Sequence, residues 1–588
     1  MKEEFQKLRE EAFETISRNS DCKKLKKEEI HDLNLTSFHE VWSYQLDINP
    51  DGMNILSVKV FICLKSNFPV SLPKIYLSKS DFDRYKYIPH VDTNYLICTF
   101  DKENISYPFD NPSYLIQECL SESRKILENG ISKKNYDDFT DEFLSYWKLK
   151  YDSKQEASNK CLTIISQSQI LDKNEIFLVK LDQKINLYWY ILGDYSSRSS
   201  DFLNFIEDKN GIGYSNLNFF FITEFDNDIP PFSIKYIDLI ELLDEERIDK
   251  LKEFINENKP PFHFILRKKN KDNFFYLLLR LDPMPINQAG FRKQTNLYNF
   301  RNLKKFQKQT PLLRFEPQIY TPERVGLRTS GTTKNLGVYK LAFIGLGSVG
   351  SNLLQYLFDD HISDLLLIDN DILSIENINR HLLGFPSINL YKSKALKWFF
   401  QQNSPFTNIK SITKDLSAQL VKQPKTLDDY DYAFLSTANN PLENWYSQEL
   451  QKGNLKTPTF FLWVEPYLAA GHLIFLHPED SKKRSELFIN TLFKNNVINE
   501  KEYLERPEKL TSREAGCQTT FTPYSNASLK LFLSSIHGRI NDTIFNNSKN
   551  SFAITWVGNI AKIEDMNIEK SDFGKDKSQG ELIEVEWK

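Results

Sequence analysis

The sequence predicts a multidomain α/β and α+β protein: a small α+β domain first, a mixed connecting domain second, and a doubly wound α/β domain last. Three observations predict it. The 588 residues exceed what one core organises and correspond to roughly three or four domains. The first 150 residues run from a helical period into alternating strands, and beyond Arg314 the texture becomes strand, glycine turn, helix, strand. The expected boundaries are 1–150, 151–310 and 311–588.

In the first segment Phe5, Leu8, Ala12 and Ile16 fall at helical spacing. Tyr44, Leu46, Ile48 and Leu56, Val58, Val60, Ile62 alternate on either side of an Asn49-Pro-Asp-Gly52 turn, which is a hairpin pattern. A Pro-containing stretch (Phe68 to Lys74) and a loop around Cys98 precede a second helix marked by Leu115, Ile116, Cys119, Ile126 and Leu127, and a third is expected near Phe139 to Leu149. From about 155 to 310, strand-like runs at Ile176 to Leu181, Leu187 to Leu192, Phe219 to Ile222 and Phe274 to Leu279 accompany one polar helix at Leu239 to Glu257. This stretch carries no recognisable chemistry and reads as a structural or docking module, with Lys268 to Lys271 as a solvated loop. Further on, Leu341 to Ile344, Gly345 to Gly350, Ser351 to Phe358 and Leu365 to Ile368 make a βαβ unit, and strands fit Tyr432 to Ser436, Phe460 to Val464 and His472 to Leu476. A polar insertion starts near 478, and the tail from Lys562 is expected to be loosely held apart from a strand at Leu582 to Val585.

Composition bounds the partners. With 75 basic and 79 acidic residues the net charge is -4, so no net field draws the chain to nucleic acid or an anionic membrane. Met1 to Ser20 has no signal-peptide core, and no apolar run approaches the roughly 18 residues of a membrane span, so a cytoplasmic location is expected. Six scattered cysteines (Cys22, Cys63, Cys98, Cys119, Cys161, Cys517) form no CxxC pair, which argues against a disulfide framework and a tetrathiolate zinc site.

Gly345-Leu-Gly-Ser-Val-Gly350 follows a strand and opens a helix, so Gly345, Gly347 and Gly350 let backbone approach a phosphate at a helix N-terminus. Asp369 ends the next strand, where a carboxylate reaches ribose hydroxyls. These features mean a nucleotide, and an NAD dehydrogenase would show them too. The continuation Asp369-Asn-Asp-Ile-Leu-Ser-Ile-Glu-Asn-Ile-Asn-Arg380 and Tyr391-Lys-Ser-Lys-Ala395 resembles the adenylation domain of ubiquitin-activating enzymes and bacterial ThiF/MoeB proteins. The resemblance implies a Rossmann-like fold binding ATP and Mg2+, with Asp369 on the ribose and Asn377, Arg380 and Lys394 on the phosphates. It also implies a further arginine at Arg324 or Arg328. Where that family has an Asp-Asn pair whose Asp binds magnesium, this chain has Asn439-Asn440, a poorer ligand set for a hard dication, which leaves Asp371 as the implied metal ligand.

Two cysteines stand in chemical settings. Cys517, in Arg513-Glu-Ala-Gly-Cys-Gln-Thr-Thr-Phe-Thr-Pro, sits between glycine and polar residues after the adenylation strands, a placement similar to the catalytic cysteine of activating enzymes. Trp463-Val-Glu-Pro to Ala470-Gly-His472 resembles the same family in a structural role. Cys98 closes Ile88-Pro-His-Val-Asp-Thr-Asn-Tyr-Leu-Ile-Cys98, which, after Asn67-Phe-Pro-Val-Ser-Leu-Pro-Lys74, looks like a ubiquitin-conjugating enzyme. Aligned on that cysteine, the family's oxyanion-stabilising Asn falls at His90, which could donate to the oxyanion or act as a base. The motif does not identify the base or orienting acid for the incoming amine; Asp101 and Asp110 are candidates.

The order of these parts resembles the fused activating and conjugating proteins of bacterial antiphage operons of the CBASS type. That resemblance implies adenylation of a protein C-terminal carboxylate, a thioester on Cys517, a thioester on Cys98, and transfer to an amine. It further implies a homodimer and, as donor, a cyclic-oligonucleotide synthase. The rival readings are a sulfur-carrier or ubiquitin-like-protein activating enzyme, which leaves residues 1–150 unexplained, and a non-catalytic scaffold in which Asn439 and His90 mark decayed sites.

Overall fold

The computed structural model describes residues 2–16, 22–100, 111–148, 159–185, 187–223, 234–271, 273–283, 300–306, 309–321, 324–325, 339–358, 362–489, 492–513 and 520–587. They fall into two compact units, 1–194 with 213–320, and 195–212 with 321–588.

The first unit begins with the helix Lys2–Ile16 and a wholly antiparallel sheet in the order Lys23–Lys24, Glu40–Ile48, Leu56–Leu64, Lys74–Leu77, Leu96–Ile97. The alternation of Leu46, Ile48, Val58, Val60 and Ile62 puts these side chains on one face, against Ala12 and Phe13 and the helix Pro112–Ile131. That helix starts where Asn111 Oδ1 accepts the Tyr114 N–H at 3.1 Å and proline occupies its first turn. In the hairpin turn the Asp51 carboxylate accepts the Met53 and Asn54 N–H groups, and Gly52 takes φ +77°, a conformation glycine adopts without steric cost. The expected third helix is two, Asp138–Asp141 and Phe143–Lys148.

The rest of this unit holds two sheets. One runs in the order Glu316–Ile319, Lys160–Thr163, Tyr188–Asp194, Ile176–Ile185, Tyr214–Asn216; the other runs Phe219–Ile222, Phe262–Asn270, Asn273–Leu281, Leu313–Arg314. Two sequence expectations fail here. Lys268 is no solvated loop: the period of two carries it onto the face of Phe264 and Leu266, where it is 1% exposed with its ammonium 4.7 Å from the Phe143 ring centroid. The helix expected over 239–257 is interrupted, because Asp244 caps Glu245–Glu257 by accepting the Arg247 N–H at 2.8 Å, leaving Tyr236–Glu241 separate.

The second unit is doubly wound. Its eight-stranded sheet runs Asn408–Ile412, Asp364–Ile368, Lys340–Ile344, Tyr432–Leu435, Thr459–Val464, Ala470–Leu476, Phe552–Val557, Leu582–Glu584. The first five strands are parallel and the last three antiparallel. The order reverses at Lys340–Ile344, so the crevice between it and Tyr432–Leu435 is the switch point where such sheets take ligands. Helix Ser197–Asn210 groups with this unit, its Phe202 stacked on Phe406 at 5.0 Å.

The segment beyond 478 and the tail are both better anchored than their polarity predicts. Leu487, Phe493, Val497, Ile498 and Leu510 are buried, and the tail contributes Ile563, Ile568 and Val585 to the same interior. These apolar residues are spaced too irregularly for a periodic signal, yet each finds a slot. No helix among the described residues is long and apolar enough to cross a membrane.

Candidate active sites

The glycine turn lies in the switch-point crevice. A Cβ at Gly350 would stand 2.0 Å from the Gly345 carbonyl and 2.5 Å from Ser436 Oγ, and one at Gly345 would stand 2.6 Å from the Ser436 carbonyl; above Gly347 there is open space. Glycine at 345 and 350 is thus required by packing, and at 347 it leaves room for a ligand. Asp369 holds the turn: Oδ2 accepts the Leu346 N–H at 2.6 Å and Oδ1 the Asp371 N–H at 2.7 Å. Burial raises its pKa, against the pull of those N–H groups and of Lys392.

Around the turn the sequence-singled residues separate into those brought together and those not. The Arg380 carbonyl accepts from Ser348 Oγ (2.8 Å) and Asn352 Nδ2 (2.9 Å), while its guanidinium donates to the Thr522 carbonyl at 2.8 Å and lies 5.0 Å from the Tyr524 ring centroid. Asn377 sits in the short turn Ile375–Asn377 and its carbonyl accepts the Arg380 and His381 N–H groups. Asp371 is paired at 2.9 Å with the ammonium of Lys392, which is buried, whereas Lys394 is exposed with its ammonium 5.6 Å from the Tyr391 ring centroid. Asn439 caps the helix Asn440–Gln451 through its side-chain oxygen, which accepts the Leu442 N–H at 3.2 Å. Arg324 lies in a single turn after Thr321. Arg328 and Cys517 lie outside the described residues; the chain flanking Cys517 is a two-stranded ladder, Ser512–Arg513 with Thr520–Phe521.

Sequence reasoning missed Lys392, His381 and Arg484. His381 accepts the Leu383 N–H on Nδ1 and so donates from Nε2 to the Leu346 carbonyl at 2.8 Å; burial lowers its pKa to about 4, keeping it neutral. Arg484 is buried among the rings of Phe461, Trp463 and Phe488 and donates to Glu443 at 2.9 Å, and Glu443 in turn accepts from Thr437 of the crevice loop. Glu465 and His472, expected to be structural, are buried partners at 3.0 Å, and the Glu465 carboxylate also accepts the Val497 and Ile498 N–H groups. A histidine following N-x-N-R was the one local signal for His381; Lys392 shares the K-x-K spacing with Lys394, and only the fold shows which of them faces inward.

The second site is in the first unit. Cys98 is exposed, and its N–H donates to the His90 carbonyl at 2.8 Å. Gly130 of the long helix lies against Ile88 and Pro89, where a Cβ would stand 2.4 Å from Ile88 Cγ2, so the helix fixes the loop that presents His90. His90 takes φ +62°; its N–H donates to Tyr146 Oη at 2.8 Å, Nε2 meets Asp138 Oδ2 at 3.1 Å, and Nδ1 stands 3.6 Å from Glu142 Oε2. Asp138, Glu142 and Tyr146 were invisible as site residues in sequence, since they lie some 50 residues from His90; Asp101 and Asp110 are outside the described residues. Desolvation raises the Cys98 pKa, the charges of Asp92 and Glu142 add to the rise, and Lys74 opposes it. A raised pKa leaves less thiolate at a given pH, so Cys98 should alkylate with iodoacetamide more slowly at pH 7.5 than an unperturbed thiol. Glu142→Gln should lower that pKa and speed alkylation a few-fold. Rate against pH on the Cys98 peptide, read by mass spectrometry, checks both.

The fold and the two sites define a chain that joins a cysteine-bearing conjugating-type domain to a nucleotide-binding domain of the adenylating type. Residues 18–155 match Prokaryotic E2 family B and residues 322–461 match the ThiF family, so the chain carries one domain of each. It is 27% identical over 126 residues to the molybdopterin-synthase adenylyltransferase of Haemophilus influenzae, covering 21% of this chain and 50% of that one. It is 24% identical over 202 residues to the ATP-dependent ubiquitin transferase-like protein Cap2 of Pseudomonas aeruginosa, covering 34% of each. The chain thus spans half or less of the length of these curated relatives. The crystal structure of PaaA is matched at 15% identity and TM-score 0.30 over 43% of this chain and 65% of that one. The structure of E. coli MccB with ATP is matched at 16% and 0.28 over 41% and 65%. At these scores the structural likeness carries no weight for function.

Proposed function

We propose that this protein uses ATP to activate the C-terminal carboxylate of another protein and conjugates it to an amine by way of thioesters on Cys517 and Cys98. One observation carries the reading: an exposed Cys98 in an E2-family domain and a glycine-turn crevice in a ThiF-family domain occur on one chain. The crevice suits a triphosphate. Room above Gly347 and the Arg380 and exposed Lys394 cations favour phosphate oxygens, and the largely exposed Asp371 carboxylate, steadied at 2.9 Å by Lys392, is the magnesium ligand of this reading. In the reaction the carboxylate displaces pyrophosphate, the Cys517 thiolate displaces AMP, the Cys98 thiolate displaces that of Cys517, and an amine finally displaces Cys98, each step conserving the activation until the amide forms. The sequence resemblance to the fused proteins of CBASS-type antiphage operons supplies the rest of this reading: a cyclic-oligonucleotide synthase as donor, antiphage defence as the setting, a cytoplasmic location and a homodimer. The domain division 1–150, 151–310 and 311–588 belongs to this reading, the middle segment setting the reach between thiols.

ATP-dependent pyrophosphate exchange tests it, and the crevice predicts how variants divide. Asp371→Ala should reduce exchange at least 100-fold and steepen its magnesium dependence. Asn439→Ala should leave exchange within a few-fold and cost about 1 kcal/mol of stability as a lost helix cap. Equal, mild effects on exchange would remove Asp371 from the mechanism, and absence of exchange with the wild-type chain and its donor would remove ATP activation altogether.

A further inference from the structure

We infer that His90, held by Asp138, is the base that takes the proton from the amine attacking Cys98, and that Glu142 gathers that amine; this rests on Cys98 carrying a thioester. Asp138 and Glu142, four residues apart, meet the ring of His90 from about 50 residues away in sequence, and the His90 carbonyl accepts the Cys98 N–H at 2.8 Å. Asp138, a carboxylate, can only accept, so the proton of a neutral His90 ring sits on Nε2, and among the described residues nothing donates to Nδ1. Glu142 is also acceptor-only and stands 3.6 Å from Nδ1, too far for a good hydrogen bond but near enough to stabilise a proton arriving there. The single N–H of the neutral ring is already committed to Asp138, which leaves none for an oxyanion.

The backbone supports the same assignment. His90 is kept in the left-handed region by the Tyr146 hydroxyl on its N–H and the Cys98 N–H on its carbonyl, an ordering that fixes the ring relative to the thiol. Among the described residues, the charges bearing on Cys98 are Asp92 and Glu142 against Lys74, a net negative setting that attracts an ammonium and repels hydroxide. The acceptor class is therefore a primary amine of the lysine type.

The step balances. The acceptor arrives as an ammonium and gives one proton to bulk water. The neutral amine attacks the thioester carbon, the C–N bond forms and the C–S bond breaks, the amine's surplus proton passes to His90 Nδ1, and the departing sulfur takes it back as a thiol. A thiol whose thiolate is disfavoured needs that returned proton.

The test bypasses the unknown donor. The full chain is charged with a short glycine-ended peptide supplied as its mercaptoethanesulfonate thioester, and the adduct on Cys98 is defined by its loss in Cys98→Ser. Discharge is followed by intact mass with free lysine or with hydroxylamine, a nucleophile uncharged at neutral pH that has little need of a base. His90→Asn tolerates the left-handed backbone and could still donate to an oxyanion. It should slow lysine discharge about 100-fold and slow hydroxylamine discharge far less. Asp138→Asn should give about 10-fold in the same pattern. Lysine discharge at the wild-type rate in His90→Asn, or equal slowing of both nucleophiles, would overturn the base assignment. A wild-type chain that forms no Cys98-dependent adduct would instead defeat the thioester reading beneath it.

Discussion

Replacing Cys517 by alanine is expected to abolish every thioester on the chain, a loss of at least 1000-fold in conjugation, while pyrophosphate exchange persists. Under the proposed reading adenylation belongs to the glycine-turn domain, and the chain that follows Cys517 returns to it, with the Thr522 carbonyl accepting from Arg380 at 2.8 Å. Cys98 stands in the other compact unit, in a family domain that receives thioesters under the proposed reading. Cys98→Ala should therefore abolish the final amide and leave a reducing-agent-sensitive adduct on Cys517. Both outcomes are read by intact mass after incubation with ATP and donor, with peptide mapping of the trapped thiol. An adduct on Cys98 in the Cys517→Ala protein would show that Cys517 is not on the route.

The second large effect is expected from Gly350→Ala. The added methyl would meet the Gly345 carbonyl at 2.0 Å and Ser436 Oγ at 2.5 Å, and neither can retreat cheaply, since Ser436 Oγ donates to that carbonyl at 2.7 Å and Asp369 holds the turn from its other side. The turn must open, which should cost about 3 kcal/mol of stability and remove ATP-induced thermal stabilisation entirely. Gly347→Ala meets no protein atom, so it should fold normally and lose nucleotide affinity alone. Thermal melts of both variants with and without ATP separate the two glycines. Equal melting of Gly350→Ala and wild type would mean the turn is more pliable than its packing indicates.

Much of the fold was legible because its signals are local. Helical spacing located Lys2–Ile16 and Pro112–Ile131, alternation located the hairpin 40–64, and the glycine turn with its flanking strands located the crevice. The signals failed where position is decided by a remote partner. Lys268 reads as part of a basic run but shares a strand face with Phe264 and Leu266. Arg484 reads as part of a polar insertion but fills a cage of three rings with Glu443 as its counter-ion.

The sequence singled out the candidate positions: the glycine turn, Asp369, Arg380, Cys98 and His90 all stand at fixed short spacings within single motifs, where chain-local geometry is legible. The tertiary structure decided their partners. It chose Lys392 to face Asp371 and turned Lys394 outward, because neighbouring positions of a helix point in different directions and only the packed sheet says which is inside. It also brought Asp138, Glu142 and Tyr146 to His90 across about 50 residues of chain, a juxtaposition set by how the short helices 138–148 pack and by no pattern within the sequence between them.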